Sequence, residues 1–240
     1  MTNTYVLVHG AWLGKFCWDD LVSKLEAAGH TAVTLDLPGH GDDTTPANAI
    51  TLESYRDAII QTIGDRTNVI LVGHSMAGLP ISLVAEAIPQ QLKALVFVCA
   101  YLPRNGESLL QLSQEDKDSH VGSYWRQDNP EQYSPPWIAA EGIVDVFCAD
   151  CSPEVQEIVK SRHRPEPLAP FVTPVELTEA NYGSVPRYYI ETLNDHAVSH
   201  QLQTLMLSRV NVNKSFQLSA SHSPFLSMPD RLATCLTEIG

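Results

Sequence analysis

Positive charge is scarce in this sequence. Fifteen Lys and Arg stand against 28 Asp and Glu, a formal net charge of −13. Binding nucleic acid needs clustered cations to neutralise phosphates, so that class of partner is excluded. Attraction to an anionic membrane surface is disfavoured for the same reason. Long hydrophobic runs are also missing, and none approaches the roughly 18 residues of a membrane span. The chain starts Met1-Thr2-Asn3-Thr4 and passes straight into a strand pattern, without the basic region that opens a signal peptide. A cytoplasmic location is therefore the expectation. Cysteine is sparse: five residues, an odd number, scattered over positions 17, 99, 148, 151 and 235. That suits a reducing compartment. Cys148 and Cys151 have C-x-x-C spacing, but a zinc site would need a second pair and a redox site its own βαβ context. Neither is present, so no metal and no cofactor are expected. There is no internal repeat.

What is present is a rhythm. At 240 residues the chain is one domain, or a domain with an insertion. A chain of this size buries about 70–75% of its unfolded surface and needs no covalent staples. Short apolar runs at Tyr5–Val8, Ala32–Leu35, Val69–Val72 and Leu92–Ala100 read as buried strands. Helical patterns alternate with them, at about Trp18–Ala28, Leu52–Ile63 (capped by Thr51) and Met76–Ile88. Strands alternating with helices imply an α/β fold with a mainly parallel, doubly wound sheet. Residues 103–185 break the rhythm. They are rich in proline and carry Tyr124, Trp125, Tyr133, Trp137, Phe147 and Phe171. Ser152 with Pro153 opens one helix there, which must end before Pro165. A loop of this length without structure is uncommon, so the segment reads as a helical cap over an apolar pocket. The rhythm resumes with a strand at Arg187–Glu191, a helix from about Ser199 to Arg209, a strand at Val212–Leu218 and a helix at Pro229–Ile239. The division is thus a core of 1–102 and 186–240 with a cap of 103–185.

The chemistry is carried by Gly73-His74-Ser75-Met76-Ala77-Gly78, placed between a buried strand and a helix. This is the strand–turn–helix setting of a nucleophile elbow, with Ala77 in the fifth position of G-x-S-x-G. The tight turn pushes the serine hydroxyl out above the sheet. A serine alone is a poor nucleophile; an imidazole must take its proton and a carboxylate must orient that imidazole. Both should follow later strands at the same sheet edge, where ligands of such sheets bind. Asp195 follows the Arg187–Glu191 strand, and His222 is the one histidine of nine that follows the last strand. The oxyanion of the tetrahedral intermediate needs two fixed N–H donors. Met76, just after the serine, supplies one, and the His9-Gly10-Ala11-Trp12 turn supplies the other through Ala11. Asp36-Leu37-Pro38-Gly39-His40-Gly41 reads as a structural turn.

These motifs resemble the α/β-hydrolase superfamily, in the branch of plant methylesterases, hydroxynitrile lyases and small bacterial carboxylesterases. The residues that carry the resemblance are Val8-His9-Gly10-Ala11-Trp12 with Trp18, the Asp36–Gly41 turn, Gly73–Gly78, Asn194-Asp195-His196-Ala197 and His222-Ser223-Pro224-Phe225-Leu226. Arg164-Pro165-Glu166-Pro167-Leu168 in the cap resembles that branch as well. The resemblance implies a cap inserted after the strand matching the family's sixth. It also implies a cofactor-free enzyme, often a homodimer, acting on a small-molecule ester through Ser75, His222 and Asp195. Hydroxynitrile lyases of the branch carry a threonine where Gly10 stands and a lysine where Ser223 stands, so their cyanide-handling groups are missing here. Epoxide hydrolases and dehalogenases of this fold need a carboxylate in place of Ser75. Cleavage of a lactone, a thioester or a carbon–carbon bond, or a ligand-binding receptor on the same scaffold, are the other readings.

Overall fold

The structure, a computed structural model, describes residues 2–132 and 134–240. Met1, and Tyr133 among the expected cap aromatics, lie outside the described residues. Four strands come first: β1 (Thr4–Val8), β2 (Thr31–Leu35), β3 (Val69–His74) and β4 (Leu92–Val98). Two short strands, β5 (Trp125–Arg126) and β6 (Trp137–Ile138), pair antiparallel with each other. β7 (Arg187–Thr192) and β8 (Lys214–Leu218) rejoin the main sheet. Its order is β2-β1-β3-β4-β7-β8, with every neighbouring pair parallel. All six residues of β3 are buried, as a central strand covered on both faces requires.

The large helices are α1 (Asp19–Ala27), α2 (Leu52–Ile63) and α3 (Gly78–Ala87) in the first half. Between β4 and β7 lie α4 (Leu109–Ser113), α5 (Val121–Tyr124), α6 (Ile143–Phe147), α7 (Pro153–Arg162) and α8 (Ala169–Val172). The chain closes with α9 (His200–Arg209), α10 (Pro224–Ser227) and α11 (Pro229–Ile239). α1 packs against α11, and α2 against α3. α2 starts where Thr51 and Ser54 cap each other's backbone amides, 3.1 and 3.0 Å. Its Leu52, Tyr55, Ile59 and Ile63 are buried at helical spacing. Among the described residues no helix is long and apolar enough to cross a membrane.

Several boundaries differ from the expected ones for local reasons. β4 stops at Val98 because Cys99 turns to φ 36, outside the extended region. The elbow helix begins as a tighter 3₁₀ turn over Ser75–Ala77, and α3 proper starts at Gly78. A 3₁₀ turn at Lys15–Trp18 likewise precedes α1. The last strand starts at Lys214 rather than Val212, and α10 occupies residues expected to be a loop.

The sheet order fixes where chemistry can happen. From β1 the chain goes outward to β2, then returns to the other side of β1 as β3. The connections after β1 and β3 therefore diverge, leaving a crevice at their carboxyl ends. His9-Gly10-Ala11 leaves β1 and Ser75 leaves β3 at that crevice, with Val8 paired to Gly73.

Candidate active site

Ser75 follows the last residue of β3 at φ 56, in the left-handed region that non-glycine residues seldom adopt. The strained turn is the elbow expected from the motif. Gly10 lets the neighbouring loop come close. A Cβ there would lie 2.6 Å from His74 Nδ1 and 2.8 Å from Ser75 Cβ. A β-branched threonine at position 10 would displace the serine turn itself.

Asp195 and His222 are brought together. His222 Nδ1 lies 2.8 Å from Asp195 Oδ2, both side chains buried. The loops that carry them are joined, because Leu193 and Asn194 donate their amides to Leu218 and Ala220, 2.9 and 3.0 Å. Asp195 Oδ1 accepts the amides of Ala197 and Val198, 2.8 and 2.9 Å. Its Oδ2 also accepts the Thr192 hydroxyl, 2.7 Å, and Gln203 Nε2 lies 3.5 Å away. The other ring nitrogen, His222 Nε2, is buried and has no hydrogen-bond partner among the described residues. The hydrogen bond from Ser75 to His222 is thus not closed in this structure. His222 packs against the residue before Ser75: the rings of His74 and His222 are 4.5 Å apart, and His74 Nε2 donates to the His222 carbonyl, 2.8 Å. Catalytic hydrogen bonds are often long without substrate and tighten when it binds.

Ala11 and Met76 line one cavity with Ser75. Met76 lies in the first turn of its helix, where amides have no intrahelical acceptor. Among the described residues no backbone carbonyl takes the Ala11 amide. The Gly10–Ala11 peptide is oriented by His9. Its Nε2 accepts the Leu37 amide, 3.0 Å, so Nδ1 carries the proton and donates to the Gly10 carbonyl, 2.8 Å. Burial first, then the charge of His40, pushes the His9 imidazole down to about 3, which keeps it in this neutral form. His74 is held neutral in the same way, well below the usual range, by burial and then by His222.

The pocket above Ser75 has about 480 Å³ of empty space when its mouth open to solvent is included. Trp12 contributes from the core side, and Leu109, Val121, Trp125, Phe147 and Phe171 from the 103–185 segment. Trp12 meets Trp125 and Phe171 edge-on, at 6.1 and 5.7 Å between ring centroids. Among the described residues, no Lys, Arg, Asp or Glu lines this cavity. His163 stacks on Trp12 at 12° between planes and is pushed down to about 4 by burial.

Among the described residues, two side-chain groups have the spacing of metal ligands. One is His74, Cys99 and His222, at the centre of the site, where His74 Nε2 is already given to the His222 carbonyl. The other is His120, Asp145 and His196, half-exposed, where each imidazole already meets one oxygen of the carboxylate at 2.7 and 2.9 Å. All five cysteines are free thiols, and burial pushes Cys148 and Cys151 up to about 11 and about 12.

Thr192 and Gln203, which lie behind Asp195, were not named from the sequence, while Trp12 was named only within its turn and Glu166 only within the cap stretch that resembles the branch. A glutamate between two prolines cannot join a helix ladder freely, and Gln203 falls on the buried face of α9. Those were the available signals.

The Alpha/beta hydrolase family model matches residues 5–234. A chloroplastic protein of Arabidopsis thaliana provisionally named methylesterase 14 is 32% identical over 255 residues, covering all of this chain and 72% of its own. Methylesterase 7 of the same plant is 30% identical over 253 residues, covering 98% of this chain and 95% of its own. A crystal structure of a polyneuridine aldehyde esterase mutant superposes with a TM-score of 0.90 at 25% identity, over the full length of both chains. The chain belongs to the alpha/beta-hydrolase family, in the branch of the methylesterases.

Proposed function

We propose that this chain is a serine hydrolase that cleaves small, neutral carboxylic esters through an acyl-enzyme. Ser75 Oγ attacks the ester carbonyl carbon while His222 Nε2 takes the hydroxyl proton. Asp195 holds the imidazole with Nδ1–H toward its carboxylate and steadies the imidazolium that forms. The amides of Ala11 and Met76 receive the oxyanion. Collapse of the tetrahedral intermediate expels the alcohol, which leaves with the proton from His222. A water molecule, deprotonated by the same nitrogen, then attacks the acyl-enzyme and releases the acid.

The observation that carries this reading is the state of His222. One ring nitrogen is anchored to Asp195, the other is buried without a partner among the described residues, and the ring packs 4.5 Å from that of His74, which precedes a serine in a strained turn. His74 Nδ1 and His163 Nδ1 are also buried without a partner among the described residues, but of the three rings only that of His222 has its other nitrogen on a carboxylate. The cavity supports the substrate class: its walls are apolar and aromatic, and it offers no cation to an anionic acyl group. Ser223, which follows His222, is no cation either, and Gly10 has no room for a threonine, which speaks against cyanohydrin cleavage. Residues 103–185 act in this reading as the lid that keeps bulk water from the acyl-enzyme. Homodimer assembly and cytoplasmic residence belong to the same proposal and are tested by light scattering and cell fractionation; the chloroplast is a property of methylesterase 14.

The decisive experiment is turnover of p-nitrophenyl acetate and a panel of methyl and aromatic esters by the wild type and by Ser75→Ala. Wild-type turnover with a burst of one alcohol per chain, and loss of at least about 1,000-fold in the variant, is expected. Equal rates in the two proteins, or no turnover of any ester, would refute the proposal.

A further inference from the structure

Glu166 is fully buried, and all the partners of its carboxylate belong to the core. Oε2 accepts the Trp12 amide at 2.8 Å and faces His40 Nε2 at 2.7 Å. Oε1 accepts the Tyr55 hydroxyl at 3.0 Å. His40 Nδ1 faces the Pro38 carbonyl at 3.1 Å. Both nitrogens of His40 thus face acceptors, so both carry protons, and the pair is an imidazolium against a carboxylate. Burial opposes that charge, but the contacts to Glu166 and Pro38 outweigh it and raise His40 above its ordinary range.

A buried ion pair is seldom more stabilising than apolar packing of the same volume. Packing alone therefore leaves the choice of a glutamate unexplained. The backbone it touches gives a reason. The peptide plane before Ala11 is held by His9 at the Gly10 carbonyl. The plane after Ala11 presents the Trp12 amide, and Glu166 holds it. Trp12 itself stands at φ 60, a conformation that a bulky residue keeps only when its surroundings impose it.

We propose that Glu166 is a positioning residue of the oxyanion site: by gripping the Trp12 amide it completes the clamp that aims the Ala11 amide at the reacting carbonyl. The lid segment thereby supplies part of the catalytic geometry as well as a cover. Trp12 is bound to the same segment at two further points. Its carbonyl accepts the Arg164 amide at 3.2 Å, and its indole donates to the Pro136 carbonyl at 3.2 Å. If the segment shifts, the oxyanion donor shifts with it. The inference rests on the serine-hydrolase reading.

The test compares steady-state kinetics with p-nitrophenyl acetate in wild type, Glu166→Ala, Glu166→Gln and Glu166→Asp. Labelling of Ser75 by a fluorophosphonate is measured on the wild type. The alanine variant removes the acceptor, and its kcat should fall roughly 100-fold, as for a lost oxyanion donor, with KM within about threefold. Glutamine keeps a carbonyl oxygen for Trp12 and should stay within about fivefold of wild type. Aspartate keeps the charge but withdraws the oxygen by one methylene, and its kcat should fall at least about tenfold. Should Glu166→Ala not fold, the glutamine and aspartate variants decide. A purely structural role would lower Tm in proportion to charge lost, so glutamine would suffer more than aspartate. Equal kcat in those two variants, or a change confined to KM, overturns the positioning role alone. No fluorophosphonate label and no turnover in the wild type overturns it together with the serine-hydrolase reading.

Discussion

Hydrogen bonds converge on the two oxygens of Asp195 from opposite sides, and the pair on Oδ1 determines what an amide at this position would do. Two backbone amides, of Ala197 and Val198, point at Oδ1. In Asp195→Asn the side-chain carbonyl must occupy that place, since an NH₂ group cannot accept from them. The NH₂ group then faces His222 Nδ1, which must become an acceptor. The imidazole proton moves to Nε2, and the nitrogen that takes the Ser75 proton in the proposed mechanism is lost. The fold should survive, with kcat down about 10⁴-fold and KM little altered, a loss of the size known for a wrong histidine tautomer. Steady-state kinetics and a circular dichroism melt check both halves; a kcat within tenfold of wild type contradicts the tautomer argument. At this scale the sequence was informative wherever a residue is tied to a short turn. Ser75, Asp195 and His222 each follow a strand within a few residues, and position along the chain was the signal that made them the candidates. Glu166, Thr192 and Gln203 act through contacts 154, 3 and 8 residues away in sequence. Thr192 and Gln203 sit inside ordinary strand and helix patterns, where a polar residue on a buried face carries no label of its partner.

Among the elements, α3 shows how tightly the elbow is built. It enters directly beneath the strand end that follows β4. A Cβ on Gly78 would fall on the Tyr101 carbonyl oxygen, and the Tyr101 nitrogen would lie only 3.2 Å from it. Both obstacles are backbone, so neither can rotate away. Tyr101 is tied to the elbow in turn, since its amide donates to the Ser75 carbonyl at 3.0 Å. Gly78→Ala, normally a favourable exchange in a helix, should here destabilise the fold by about 1–3 kcal/mol or more, as overpacking does. The urea midpoint should fall with an unchanged m-value. A midpoint at or above wild type would mean the helix can back away from the sheet. The parallel strands and long helices were legible because their apolar residues recur with the period of the element. What was not legible were the 3₁₀ turns at Lys15 and Ser75 and the four-residue helix α10. Segments of one turn have no period to detect, and their conformation is set by the packing of neighbours such as Trp18 and Phe225, 4.5 Å apart between centroids.

For the molecule as a whole, the buried histidines govern the response to acid. The sheet's parallel order and its switch point follow from the βα rhythm, but the charge state of what the crevice encloses does not. His9 and His163 are pushed down to about 3 and about 4, and His74 is lowered as well, in each case chiefly by burial. An unfolded chain would protonate all three near their ordinary pKa of about 6.5. Between that value and the folded ones, the unfolded state binds up to three more protons, so stability must fall as pH falls. Each proton contributes about 1.4 kcal/mol per pH unit. His40 has the opposite sign. Its raised pKa adds stability that is present below the unfolded value and is lost as pH rises through the folded one, so it does not offset the acid side. The carboxylates lowered in the fold, Asp36, Asp43, Glu86, Glu115, Asp145 and Glu154, begin to act only below about pH 4.5, near their ordinary range, and in the same direction as the three histidines. Three such groups remove about 6 kcal/mol by pH 5 and about 10 kcal/mol by pH 4, a large part of the roughly 5–15 kcal/mol total stability of a typical domain. Thermal melts at steps from pH 7.5 to 4 should show Tm falling steeply below about 6.5, and His163→Gln should remove roughly a third of that slope while leaving Tm at pH 7.5 lower by the lost packing on Trp12. A Tm that holds constant from pH 6.5 to 4.5, or a slope untouched by His163→Gln, would mean that these imidazoles take up protons in the folded state, and that the crevice around Ser75 is open to water.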